Sequence, residues 1–114
     1  MFEVESANAV YLYTGAADMR MGIDRLSSFV LNAGLSPLSG ALYVFVGKRR
    51  SRIKILYWDR DGYCLWFKRL EAGLFRIKVT DRYEQITGID LNKLLNGIEF
   101  SRIKFQKESE KVFS

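Results

Sequence analysis

Histidine is absent from the 114 residues, and cysteine and proline occur once each, as Cys64 and Pro37. Without histidine the chain lacks the commonest general base and the commonest metal ligand. A lone cysteine inside an expected strand has no neighbour to activate it, so the sequence does not read as a serine- or cysteine-type enzyme. One cysteine forms no intramolecular disulfide and suits a reducing cytoplasm. No charged-then-apolar leader and no long apolar run is present, so neither secretion nor membrane spanning is expected. Two-metal phosphoryl transfer needs carboxylates converging on metals about 4 Å apart. Here Asp59 and Asp61 read as turn aspartates and Asp18 as a helix cap. The reading is a non-enzyme with no cofactor and no metal, located in the cytoplasm.

Acidic residues are missing from one place above all. Lys48, Arg49, Arg50, Arg52 and Lys54 put five positive charges into seven residues with no acid among them. Taking those five from the eighteen Lys and Arg leaves thirteen, equal to the thirteen Asp and Glu, so the whole net charge of +5 sits in this segment.

What is present is apolar and aromatic. With 48% hydrophobic and 14% aromatic residues the chain reads as globular, a single domain over 1–114. That length buries roughly 60–70% of the unfolded surface. The centre is Ala41 to Leu70, where three runs rich in β-branched and aromatic residues are separated by Lys48–Arg52 and by Asp59-Arg60-Asp61-Gly62. These read as consecutive antiparallel strands. A left-handed Gly62 closing a bulged hairpin would set Trp58 opposite Cys64, Leu56 opposite Trp66 and Lys54 opposite Lys68. One face would then carry Lys54, Leu56, Trp58, Cys64, Trp66 and Lys68, and the other Ile53, Ile55, Tyr57, Tyr63, Leu65 and Phe67. Both faces are largely apolar, so both must be covered by a helix, a returning sheet or a partner.

Along the rest of the chain, Ala9 to Tyr13 reads as a first strand. Met19, Ile23, Leu26, Val30 and Ala33 form one helical stripe, with regular helix expected only after Gly22 and ended by Gly34. Asp18 or Gly22 is the expected N-cap. Ser36 to Gly40 is a turn-rich link. Leu74 to Thr80 and Tyr83 to Ile86 alternate as strands. Thr87 and Asp90 have capping-box spacing ahead of Leu91, Leu94 and Leu95, with Gly97 as the stop. Residues 106–114 read as a flexible tail or the end of a fraying helix. The fold expected is α+β: a mainly antiparallel, strongly twisted or partly closed sheet of about five or six strands with one main and one short helix.

Several of these residues together resemble a known family. Asp18-Met19-Arg20, Gly22 and Asp24, Ser39-Gly40, the basic turn, Ile53-Lys54-Ile55-Leu56, Trp58-Asp59, Gly62 and Lys68-Arg69-Leu70-Glu71 resemble the small TnpB accessory proteins of insertion-sequence-66 type transposons. These are second open reading frame products, unrelated to the RNA-guided nucleases of the same name. Gly88 and Ile89 depart from the proline and acidic residue expected there. The resemblance implies an accessory factor of DNA transposition working with a separate transposase, and carries over no catalytic residue.

Two functional readings follow. In one, Lys48, Arg49, Arg50, Arg52, Lys54 and Lys68 contact DNA phosphates, with a slope of log affinity on log salt of about −4.5 to −5.5 for five or six phosphates. In the other, the protein is an adaptor docking the transposase or another element-encoded protein, and the basic turn is a solvated tip. Trp58 and Trp66 are the expected partner or homodimer surface, a second copy being one way to cover an exposed aromatic face.

Overall fold

The apolar pattern threads the chain through a single sheet covered on both sides. A computed structural model describes residues 9–77 and 82–96. Within them lie β1 (Val10–Ala17), α1 (Ile23–Asn32), β2 (Leu42–Gly47), β3 (Arg52–Asp59), β4 (Gly62–Arg69), β5 (Tyr83–Ile86) and α2 (Gly88–Leu95). The strands form a five-stranded sheet in the order β4-β3-β2-β1-β5. It is open, with β4 and β5 as its edges, an α+β arrangement in which every pairing but one is antiparallel. The exception is β1 with β2, parallel neighbours joined through α1. No helix among the described residues is long and apolar enough to cross a membrane.

β2 is the middle strand, and all six of its residues are buried. A strand flanked by neighbours and covered above and below reads as an unbroken apolar run, which is what Leu42 to Val46 shows. On one face, Leu26 and Val30 of α1 pack with Tyr43, Phe45 and Leu56. On the other, Leu91, Leu94 and Leu95 of α2 join Phe75 and Ile77 over Leu12, Val44, Ile53 and Ile55. Truncating Phe45, fully buried at the centre, to alanine would cost about 3–5 kcal/mol.

Local signals set the ends of both helices. Gly22 is the N-cap of α1, without a side-chain cap, and Asp24 lies in the first turn, where the helix dipole favours an acid. At the other end Gly34 takes φ +83°. Its N–H donates to the Leu31 carbonyl and that of Leu35 to the Val30 carbonyl, the two bonds of a Schellman stop. In α2 the capping box is complete: Thr87 Oγ1 accepts from the Asp90 N–H at 3.0 Å, and the Thr87 N–H donates to Asp90 Oδ2 at 3.4 Å.

Four expectations need correction. First, β1 runs on past Tyr13 to Ala17 through an irregularity, because Thr14 turns its N–H and Oγ1 to the Arg82 carbonyl and the register with β2 shifts between Tyr13 and Ala16. Second, Leu74 to Ile77 is irregular chain rather than strand. The Phe75 N–H donates to the Arg50 carbonyl, and Phe75 is buried by covering the sheet, not by joining it. Residues 78–81, Gly97 and the 106–114 tail lie outside the described residues.

Third, the β3–β4 hairpin is tighter by one residue than the bulged form. Asp59 pairs with Gly62, and Arg60 rather than a glycine takes the positive φ, at 53°. Trp58 therefore faces Tyr63, Ile55 faces Trp66 and Lys54 faces Phe67. Because side chains alternate with period two, that slip moves every β4 side chain to the opposite face relative to β3. Fourth, Asp18 is not the cap of α1; its carboxylate serves Arg20.

Candidate nucleic-acid interface

The parallel pairing of β1 with β2 places two carboxyl ends side by side, Ala17 next to Gly47. In open sheets with such crossovers, the crevice beyond these ends is the common location for ligands. Here the Asp18–Gly22 connection to α1 forms one wall of a cleft and the basic turn Lys48–Ser51 the other. The cleft has a volume of about 610 Å³, with Ala17 and Gly47 at its base and Arg20, Lys48, Arg49 and Arg52 around it.

The basic turn is fixed by its backbone. The Arg50 N–H donates to the Gly47 carbonyl at 2.9 Å, and Arg50 takes a left-handed φ of 65°. The carbonyls of Arg50 and Ser51 accept from Phe75 and Leu70, tying the turn to the chain that follows β4. Lys48 and Arg49 consequently project from a held tip rather than a loose one. Both are exposed, as is Arg52 at the start of β3, and none of the three has an acidic partner among the described residues.

Across the cleft, Asp18 and Arg20 form a local clamp. Arg20 donates through Nε to Asp18 Oδ1 at 3.0 Å and through Nη2 to Oδ2 at 2.9 Å, while its N–H donates to Oδ1 at 2.9 Å. The Arg20 guanidinium and N–H hold the Asp18 carboxyl well below the usual carboxylate range, and Asp18 in turn raises Arg20. The Arg20 side chain nevertheless stays 88% exposed, free to meet a second anion.

The other expected phosphate contacts are engaged elsewhere. Arg50 Nη1 donates to the Ile77 carbonyl at 2.9 Å. Lys54 Nζ donates to the carbonyls of Met19 and Met21, each at 2.8 Å, and lies 6.0 Å from the Phe67 ring centroid. Lys68 Nζ donates to the Leu95 carbonyl at 3.1 Å, a cation on the last turn of α2. The structure thus brings Lys48, Arg49 and Arg52 together and sets Arg50, Lys54 and Lys68 to holding backbone.

Arg20 is the cation that the charge count overlooked. The available signal was its place between a strand and a helix, but only the parallel β1–β2 pair turns that loop toward the basic tip. Trp58 and Trp66, expected on one surface, lie on opposite faces. Trp66 packs against the α2-side core, and Trp58 sits edge-on to Tyr63 with ring centroids 5.1 Å apart.

Fold and cleft together define a small α+β domain with a cationic recess at the ends of two parallel strands. The chain belongs to the family described as IS66 Orf2 like protein, whose pattern matches residues 8–105. That family is one of transposition-associated accessory proteins, not one of known catalysts. Two proteins of Sinorhizobium fredii (strain NBRC 101917 / NGR234) are similar. "Uncharacterized protein y4hO" is 37% identical over 93 residues, covering 80% of this chain and 81% of its own. "Uncharacterized protein y4jC" is 32% identical over 97 residues, covering 83% of each. No solved structure is a significant match.

Proposed function

We propose that this accessory protein grips DNA phosphates in the cleft between Arg20 and the basic turn while a separate transposase carries out the chemistry. The observation that supports this reading is the convergence of Lys48, Arg49 and Arg52, exposed and without acidic partners, opposite the exposed guanidinium of Arg20. Arginine offers forked donors and lysine a point charge, a set suited to phosphate and indifferent to base identity. Three or four neutralised phosphates give a slope of log affinity on log salt of about −2.7 to −3.6 on duplex DNA. That is shallower than six cations would give, since Arg50, Lys54 and Lys68 already hold carbonyls.

The test is fluorescence anisotropy on labelled duplex and single-stranded DNA from low to physiological salt. The wild type is compared with a triple variant carrying Lys48→Ala, Arg49→Ala and Arg52→Ala, and with Arg20→Ala. The expected result is salt-dependent binding that the triple variant loses and that Arg20→Ala weakens with a slope reduced by about 0.9. No binding by the wild type at low salt would sink the reading and leave the transposase-docking adaptor in its place.

A further inference from the structure

The two edges of the sheet are unequal. β5 has four residues, whereas β4 has eight, in unbroken register with β3 and without proline or bulge. The Leu70 N–H donates to the Ser51 carbonyl, and alternate residues of an antiparallel strand point their backbone groups the same way. Residues 62, 64, 66 and 68 therefore address β3, and Tyr63, Leu65, Phe67 and Arg69 turn N–H and C=O to the open side. No strand among the described residues takes those groups. A long edge of this kind is a template for another strand unless charge, proline or a bulge blunts it. β4 has charge only near its end, at Lys68 and Arg69.

The side chains of the same four residues lie on the α1 side of the sheet. Tyr63 and Leu65 are half-buried there, and Phe67 is 50% exposed. We propose that this protein forms a homodimer by antiparallel pairing of β4 with β4 of a second copy, on a two-fold axis through Leu65. That register pairs Leu65 with the partner's Leu65, Tyr63 with the partner's Phe67, and Asp61 with the partner's Arg69. Apolar rows become continuous across the axis, and opposite charges meet at both ends. A shift by one step, with the axis at Trp66, would instead set Asp61 against the partner's Glu71 and Tyr63 against the partner's Arg69. Apolar matching selects Leu65 as the centre, and in that register Arg69, which holds its own Glu71 at 2.9 Å, also meets the partner's Asp61. The two bodies join into one ten-stranded sheet, with one basic cleft on each side of the axis.

The pairing makes a positional demand that a loose association would not. Only a residue on the axis meets its own copy, at a Cα separation of about 5.5 Å, within disulfide range. In a Cys64→Ser background, Leu65→Cys should give a reducible covalent dimer under oxidised glutathione, two thiols closing to a disulfide as the glutathione is reduced. Tyr63→Cys alone and Phe67→Cys alone should stay monomeric on a non-reducing gel, yet link when mixed. Sedimentation equilibrium of the full chain should give twice the chain mass. Arg69→Asp should weaken that dimer roughly tenfold, and Asp61→Arg on the same chain should restore it. A monomeric wild type, or cross-linking that proceeds equally at all three positions, overturns the proposal. Neither readout involves DNA.

Discussion

Lys54 Nζ donates to the carbonyl of Met19, 2.8 Å away and 35 residues earlier in the chain. A second bond of the same length reaches Met21, so one ammonium on the sheet pins the loop that walls the cleft. This is a structural use of a lysine lying in the most basic segment of the protein. Lys54→Met keeps the length of the stem and deletes the donor. It should lower stability by about 1.5–3 kcal/mol, as hydrogen bonds to charged groups are worth, in urea unfolding. The salt slope for DNA should stay as it is in the wild type, because Lys54 is not among the free cations.

Gly47 closes the base of the cleft. A Cβ built there would lie 2.7 Å from Met19 Cγ, too close for the side chain to stay where it is. Gly47→Ala should cost about 1–3 kcal/mol by overpacking and displace the Asp18–Gly22 loop. Adding Met19→Ala to that variant should recover part of the loss, which denaturant midpoints of the single and double variants would reveal.

Asp18 subtracts from the positive charge of the cleft and occupies Arg20. Asp18→Asn retains an oxygen for the Arg20 N–H but removes the charge that faces the guanidinium. DNA binding should tighten as the acid beside the guanidinium is neutralised, while the salt slope stays close to that of the wild type, because Arg20 already counts among the cations that meet phosphate. Lowering the pH should not reproduce this through the usual carboxylate range, since Arg20 keeps Asp18 ionised well below it. Anisotropy titrations of both proteins at pH 7 and near pH 4 separate the two effects.

The Tyr83 hydroxyl is buried without a hydrogen-bond partner among the described residues. Burial, with smaller contributions from Tyr13 and Tyr43, pushes its phenol well above the ordinary tyrosine range. Its folded value exceeds its unfolded one, so the stability tied to the neutral form is complete below about pH 10 and declines as pH rises beyond, where the unfolded chain loses the proton first. Tyr83→Phe should raise stability at pH 7 by about 1 kcal/mol, by removing an unsatisfied buried group. It should also flatten the alkaline limb of a stability–pH curve, with Tyr43 and Tyr57, likewise raised by burial, keeping part of it.

The limits of α1, the capping box of α2, the strand at Tyr83–Ile86 and the need to cover both faces of the sheet were all legible in the sequence. Each rests on residues close together in the chain: Gly22 and Gly34 around a helical stripe, Thr87 with Asp90, and an apolar run too continuous for a wet face. The basic tip was legible too, as five cations in seven residues with no acid among them, equal in number to the whole net charge.

Three features lay beyond the sequence, and each depends on groups far apart along it. Asp59-Arg60-Asp61-Gly62 accommodates either a bulged or a two-residue loop. The side of the sheet that Trp66 and Leu65 face decides between them, so a local ambiguity became a change of face for the whole of β4. The parallel contact of β1 with β2 joins strands separated by α1, and no short-range pattern announces it. The fates of the six expected phosphate contacts followed from that topology: carbonyls of Ile77, Met19, Met21 and Leu95 came within reach of Arg50, Lys54 and Lys68, while Lys48, Arg49 and Arg52 stayed in solvent. Sequence alone determined where charge and apolar surface are concentrated. The tertiary structure decided which cations remain available for a ligand, because a buried or half-buried carbonyl needs a donor and the nearest long cationic side chain supplies it.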